Sequence, residues 1–505
     1  MISRKLLSYW KELRDREERE VGVSKNFTIS VLLVYPNVYR VAISNLAIHR
    51  IFELLNSMES VACDLFFLPE TEDIIDELER GFEVASYYLE RTPSEFDLIL
   101  FSISYENDLL NVVKILRYFR IPPLSEDRSL GSPVLVGGGI AVSENPEPYA
   151  PIFDVLCIGE AENILDVIIS EFSASSSRDD FLSRIDSYES IYVPSLYKTY
   201  RVGDFEITEM AKRLKRNVYT NFSRDPSKSV IHTDLAIFGK SKIIEISRGC
   251  PRKCKFCLAS WLYGNIRFID LETFDELIES SKLKRIGLMG TSISDWPYLV
   301  DAITRHSDRV FSFSSLRVDV KKEVIDRMVD YGVRTITFGV ESFSESLRRR
   351  IGKPFSDKFL LERIESLSGK FETLKLYFMV GLPYESDDDV ICAERLLAEI
   401  RRIFKGRITV NLSPFVPKPH TPFQFEAFCG TDVIKRRINM VRNIVRKIGG
   451  INLTWDLPKY AKLETIISRG DRRVGYWIAG KSDIEEDKYL SSLNPSQPYP
   501  WSILR

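Results

Sequence analysis

The chain has 505 residues, 44% of them hydrophobic and 28% charged, with a formal net charge of -2. That is material for about two or three domains with sizeable cores, and the near-zero charge gives no global pull toward nucleic acid. No run approaches the ~20 apolar residues of a membrane span, and the charged amphipathic segment 1–20 has no signal-peptide core, so a cytoplasmic location is expected. Seven cysteines, three of them in one motif, argue against a disulfide framework and for a reducing compartment. Cys63, Cys157, Cys392 and Cys429 are scattered and read as small buried apolar residues. The local basic runs 212–216 and 469–473 read as solvated faces.

Apolar segments at 28–35, 63–68, 97–104, 133–138 and 155–159 alternate with helical patterns at 45–55, 108–119 and 161–172. Short buried strands separated by helices predict a parallel sheet, so residues 1–200 are expected to form a doubly wound, Rossmann-like α/β domain. Ligands of such sheets sit at the carboxyl ends of the strands. There the sequence places Tyr35-Pro36-Asn37, the segment Ser102-Ile103-Ser104-Tyr105-Glu106, and the triple glycine Gly137-Gly138-Gly139. The glycines either let the backbone approach a phosphate or nucleotide tail, or make a packing turn.

After a polar stretch at 173–180 and a Tyr/Pro connector at 192–200, a second alternation begins. Six strand candidates lie at 242–246, 285–289, 310–314, 334–339, 374–380 and 408–413, with helical patterns such as 271–281, 321–331 and 387–400 between them. Such β/α units across 201–430 predict an open or partial (β/α)6 barrel whose working face is at the strand C-termini. Residues 431–505 begin with a basic helix at 433–448 and are expected to form a small C-terminal extension closing one side of the barrel. The Arg-Gly-Asp triplet at 469–471 reads as coincidence.

The first barrel strand runs into Ser247-Arg248-Gly249-Cys250-Pro251-Arg252-Lys253-Cys254-Lys255-Phe256-Cys257. Its C-x-x-x-C-x-x-C spacing supplies three thiolates from one tight loop, which suits an iron-sulfur cluster with one iron left without a protein ligand. A structural zinc site would need a fourth ligand, and the nearest candidate, His232, is well upstream.

A partial barrel with this motif after its first strand resembles the radical S-adenosylmethionine (SAM) superfamily. The resemblance implies that Cys250, Cys254 and Cys257 hold a 4Fe-4S cluster whose free iron chelates SAM. It implies that an electron, from a donor such as flavodoxin or ferredoxin, cleaves SAM to methionine and a 5′-deoxyadenosyl radical that abstracts hydrogen from substrate. Phe256 is then expected near the adenine. Further SAM contacts are expected at later strand ends. Gly290 and Thr291 stand where the superfamily commonly has a Gly-Gly-Glu-type segment, a pattern this chain departs from. Ser314 carries a hydroxyl for ribose, and Arg317 has the fork geometry for the methionyl carboxylate. Glu341 is an acceptor for ribose or substrate hydroxyls, and Gly381, in Gly381-Leu382-Pro383, would let adenine pack on backbone.

A narrower resemblance spans nearly the whole chain. Tyr35-Pro36-Asn37-Val38-Tyr39, Ser44-Asn45-Leu46, Asn145-Pro146-Glu147-Pro148, Gly159-Glu160-Ala161-Glu162, the run from Phe415 through Pro417-Lys418-Pro419-His420-Thr421-Pro422-Phe423-Gln424, and Ser468-Arg469-Gly470-Asp471-Arg472-Arg473 are similar to a bacterial family of radical SAM proteins with an N-terminal cobalamin-binding-like domain. The proline-rich run makes a stiff segment over the barrel mouth, in which His420 reads as a packed loop histidine rather than a proton carrier. Ser102, Gly137, Gly138 and Gly139 are the candidate cobalamin contacts. Cobalamin domains that displace the lower base use an Asp-x-His-x-x-Gly motif, which this chain lacks; His49 falls inside a predicted helix and reads as a surface or satisfied histidine. Both a corrin-binding domain and one that kept the fold without the cofactor remain open.

Three functional readings follow. The first is a radical SAM enzyme, extended to a cobalamin-dependent methyltransferase if the corrin is present. The second is cobalamin-free modification of RNA or protein, with the N-terminal domain as substrate platform. The third is a non-catalytic iron-sulfur electron-transfer or sensing protein, which the expected SAM contacts oppose because a carrier has no use for an open iron.

Overall fold

The computed structural model describes residues 1–210, 212 and 214–504. The first sheet contains β1 (Ile29–Val38), β2 (Val61–Leu68), β3 (Leu98–Ser102), β4 (Val134–Gly138), β5 (Val155–Cys157) and a short edge strand, β6 (Ile191–Tyr192). Its order is β2-β1-β3-β4-β5-β6, parallel except for the antiparallel β6. Helices cover both faces of such a sheet, so its strands carry continuous apolar runs. All of β2 is buried, as is β1 up to its last two residues. The strand order reverses between β1 and β3, and this topological switch point opens a crevice at the strand C-termini.

The second unit contains β7 (Lys242–Arg248), β8 (Arg285–Gly290), β9 (Val310–Phe313), β10 (Thr335–Glu341), β11 (Thr373–Val380), β12 (Arg407–Pro414) and β13 (Ile451–Trp455). These form two parallel groups, β7-β8-β9 and β10-β11-β12-β13. Between the groups, an isolated parallel bridge joins Leu316 to Phe338. The arrangement is a partial barrel, not a closed one. In β11, Leu374, Leu376, Phe378 and Val380 are buried while Lys375 and Tyr377 are exposed, so only one face of the strand is packed. Helix Thr431–Ile448 and β13 continue this sheet beyond the six strands read in the sequence.

The remaining C-terminal helices return to the first sheet. Ile466, Ile467, Val474, Tyr489 and Trp501 belong to the same apolar cluster as β1–β5. This return overturns the reading of 469–473 as a solvated basic face. Arg469 is fully buried and donates to the carbonyls of Glu426 (3.0 Å) and Ser491 (2.8 Å), while Arg472 donates to Glu147 (3.1 Å). Asp471 is also buried, so the Arg-Gly-Asp triplet is core. In the other basic run, Arg213 lies outside the described residues. Lys212 donates to Asp186 (2.8 Å) and to the Ile191 carbonyl (2.6 Å), and Arg216 faces a cavity. Local charge density is blind to such partners, which come from elsewhere in the chain. Among the described residues no helix is long and apolar enough to cross a membrane.

Candidate radical site and junction cavity

The three cysteines follow β7 directly. Gly249 turns the chain with φ +87°, and a side chain there would press on the Asn265 carbonyl oxygen at 2.5 Å. Only glycine makes that turn without strain. Cys254 is buried, and Cys250 and Cys257 are half-buried. The loop is clamped from several sides. Trp261 Nε1 donates to the Cys254 carbonyl (2.9 Å), and Lys255 N donates to the Ile351 carbonyl (3.0 Å). Thr291 N donates to the Ser247 carbonyl (3.2 Å), and the Thr291 hydroxyl donates to that of Gly249. Burial pushes the Cys254 thiol pKa up, while the charges of Lys353 and Arg317 pull it back.

Among the described residues, no three His, Cys, Asp or Glu side chains are gathered closely enough to share one metal ion. Three thiols from one loop leave a tetrahedral zinc ion one ligand short, whereas they suit an iron-sulfur cluster with an open iron. His232, the alternative zinc ligand, is buried with Nε2 on Glu20 (2.8 Å).

The expected SAM contacts fall into separate groups. Gly290 lies against the cysteine loop, where an added side chain would meet the Ser247 carbonyl oxygen at 2.8 Å. Phe256 packs beside Leu347, Ile351, Leu382, Phe415 and Phe423, and lines a cavity of about 480 Å³ with Met379, Ser413, Lys418 and Glu464. Ser314 follows the end of β9, half-buried. The Arg317 fork is taken by Asp319, at 2.8 and 2.9 Å. Glu341 sits at φ +72°, where the register of β10 shifts, and accepts from Lys353 Nζ (2.9 Å). A left-handed glutamate at a strand end is stored strain of the kind functional sites carry. Gly381 turns with φ +86° and donates to Glu385 (2.6 Å), with Cys429 and Ile434 against it.

A second cavity, of about 460 Å³, joins the two units. Its first-sheet wall includes Leu33, Leu100, Ser102, Gly138 and Gly139; its second-sheet wall includes Glu245, Arg248, Tyr263, Met289, Gly290 and Thr291. The switch-point crevice thus opens onto the residues that clamp the cysteine loop. The triple glycine divides by role. Gly137 packs under Phe153, where a side chain would meet the ring at 3.0 Å. Gly139 has φ +118°, and a side chain there would meet the Ile103 carbonyl carbon at 2.8 Å.

The rim of the junction is an ion network that the sequence reading did not single out. Arg248 donates to Glu160 (2.8 Å), Glu162 (3.2 Å), Glu245 (2.6 Å) and Ser227 (3.0 Å), and Arg267 reaches Glu160 (2.5 Å). Its signal was present in the Gly159-Glu160-Ala161-Glu162 turn and in the arginine placed just before the cysteines. A second buried group surrounds Lys418 of the proline-rich loop, which donates to Glu106 (2.6 Å) and lies 2.8 Å from Glu464. Glu144 stands nearby, fully buried, its pKa pushed up by burial and by Glu106. His420 in the same loop pairs through Nε2 with the Glu144 carbonyl (2.8 Å), and burial lowers its pKa to about 3.

His49 is satisfied at both nitrogens: Nδ1 accepts from Val230 N (3.2 Å) and Nε2 pairs with the Ile43 carbonyl (3.0 Å). It is fully buried, which removes the surface alternative. Cys63 and Cys157 are buried as expected, whereas Cys392 and Cys429 are half-buried.

Residues 47–194 match the family described as radical SAM proteins, N-terminal, and residues 244–397 match the radical SAM superfamily. The chain belongs to the radical SAM superfamily. A radical SAM protein of this family implies a 4Fe-4S cluster and SAM as cofactors. The chain is 28% identical over 483 residues to an uncharacterized protein of Methanocaldococcus jannaschii, covering 91% of this chain and 96% of that one. It is 24% identical over 237 residues to the bacteriochlorophyllide d C-8(2)-methyltransferase of Chlorobaculum tepidum, covering 44% of this chain and 46% of that one. Among solved structures, the radical S-adenosylmethionine methyltransferase TsrM from Kitasatospora setae aligns with a TM-score of 0.49 at 14% identity, covering 78% of this chain and 77% of that one.

Proposed function

We propose that this radical SAM enzyme is a cobalamin-dependent methyltransferase. Cys250, Cys254 and Cys257 would hold the cluster, with SAM over it near Phe256, Gly290, Thr291, Ser314, Arg317, Glu341 and Gly381, and with Ser102, Gly138 and Gly139 against the corrinoid. The observation that carries the reading is the junction cavity, whose walls come from the switch point of the first sheet and from the strand ends beside the cysteine loop. The methyltransferase named among its relatives supports the same direction. In this reading 1–200 is the corrinoid domain, 201–430 the radical domain, and 431–505 an extension that adds β13 to the second sheet and returns to the first.

When bound, the cluster and SAM supply a 5′-deoxyadenosyl radical and the corrinoid carries a methyl group. The chain's own residues orient and enclose. Thr291 and Trp261 fix the cysteine loop, Arg248 sets its distance from the first sheet, and the apolar wall of Leu33 and Leu100 excludes water from the shared cavity. A flavodoxin- or ferredoxin-type donor would deliver the electron.

Anaerobic reconstitution with iron, sulfide and hydroxocobalamin, followed by SAM and dithionite, tests the proposal. The expected result is 5′-deoxyadenosine together with a retained corrinoid absorbance. A filled cluster that yields no 5′-deoxyadenosine overturns the radical chemistry. SAM cleavage without corrinoid retention would move the reading to cobalamin-free modification of RNA or protein.

A further inference from the structure

Arg216 lines the junction cavity beside Gly138, Gly139, Ser143 and Gly159. The neighbouring groups are already engaged. Glu160 is held by Arg248 and Arg267, and the Ser143 hydroxyl donates to the Gly139 carbonyl (2.8 Å) while accepting from Gly159 N (2.8 Å). No described residue makes an ion pair with Arg216, and its buried Nε finds no hydrogen-bond partner. Burial lowers its pKa to about 10 with no carboxylate to offset the loss, yet the group stays charged at neutral pH. The side chain is half-buried, and its enclosed Nε is the nitrogen left without a partner, a loss that costs free energy. The arginines of the rim, by contrast, each meet one or more carboxylates.

A guanidinium with no ion-pair partner among the described residues, beside a glycine turn that brings backbone to the cavity wall, fits a ligand carrying a tetrahedral anion. We propose that Arg216 is the anion-binding residue of the junction cavity and takes the phosphate of a nucleotide-tailed cofactor seated on Gly138-Gly139. The identity of that cofactor as a corrinoid rests on the function proposed above; the anion subsite does not.

Cobalamin and cobinamide separate the two, because cobalamin carries a phosphodiester and cobinamide lacks it. Absorbance titration of the reconstituted full chain should show cobalamin bound about 10-fold more tightly than cobinamide, the size of one charge-assisted contact. Arg216→Met should remove that preference while leaving cobinamide affinity unchanged, and Arg216→Lys should restore part of it. Inorganic pyrophosphate should raise the Tm of the wild-type chain and not that of Arg216→Met. A structural arginine predicts otherwise: Arg216→Met would then lower Tm and weaken both corrinoids alike. Retention of the cobalamin preference in Arg216→Met overturns the inference while the corrinoid reading stands. If neither corrinoid binds, the corrinoid reading falls and the pyrophosphate shift alone decides: its dependence on Arg216 supports the subsite, and its absence overturns it.

Discussion

Arg248 ends β7 two residues before Cys250, and its guanidinium meets the turn after β5 at Glu160 and Glu162. All three side chains are almost fully buried. Arg248→Met leaves those carboxylates facing one another, and such a break costs about 3–5 kcal/mol, to be read by urea unfolding. Arg248→Lys should recover only part, since an ammonium lacks the fork that serves several carboxylates. Two other buried residues contribute to the acid response. Burial lowers the pKa of His49 to about 4 and that of His420 to about 3. In the unfolded chain both would take a proton near pH 6.5. Below that pH the unfolded state binds more protons, so stability falls as pH falls until the folded pKa values are reached. Each contributes a loss of about 1.4 kcal/mol per pH unit, and His420→Gln should flatten the fall of Tm between pH 6.5 and pH 4. The same satisfied histidines bear on the proposed corrinoid. His232 is on Glu20, His306 on Asp275 (2.7 Å), and none of the four histidines lines the junction cavity. Cobinamide bound there and reduced to Co(II) should therefore show no nitrogen splitting in its electron paramagnetic resonance spectrum; a triplet pattern would mean an imidazole had moved in.

At the scale of elements, the glycine turns are where a methyl group decides the outcome. Gly139→Ala places carbon against the Ile103 carbonyl at φ +118°. It should destabilise the first sheet by about 1–3 kcal/mol and lower corrinoid retention with it. Much of this architecture was legible in the sequence. The strands of the first sheet declared themselves because burial on both faces demands unbroken apolar runs, as in β2. The cysteine loop declared itself through spacing. β13 did not: its residues are half-buried or exposed, so it carries no apolar run to read. The junction network was also hidden, since Arg248 and Glu160 lie 88 residues apart and pairing at that range leaves no local period. Arg317 shows the opposite case. Its fork was visible, but Asp319, which occupies it, stands only two residues on and was not read as its partner.

Across the whole molecule, the radical half and the first sheet are tied by the chain's return. Tyr489 and Trp501 complete the cluster around β1–β5, and Lys418 binds Glu106 of the first unit and Glu464 of the returning helix. Deleting 458–505 should therefore unfold the first sheet as well as free the proline-rich loop, seen as early hydrogen exchange in β1–β5 rather than loss confined to the second unit. The partial barrel carries a different liability: Leu316 and Phe338 bridge its two halves at one isolated pair. The returning tail has a consequence for the order of synthesis. The first sheet leaves the ribosome early, yet its core waits for residues made long after the cysteine loop has emerged. Every residue lining the shared cavity, from Leu33 to Thr291, is made before that tail, so the cavity's two walls can meet around a cofactor while the core behind the first sheet is still incomplete.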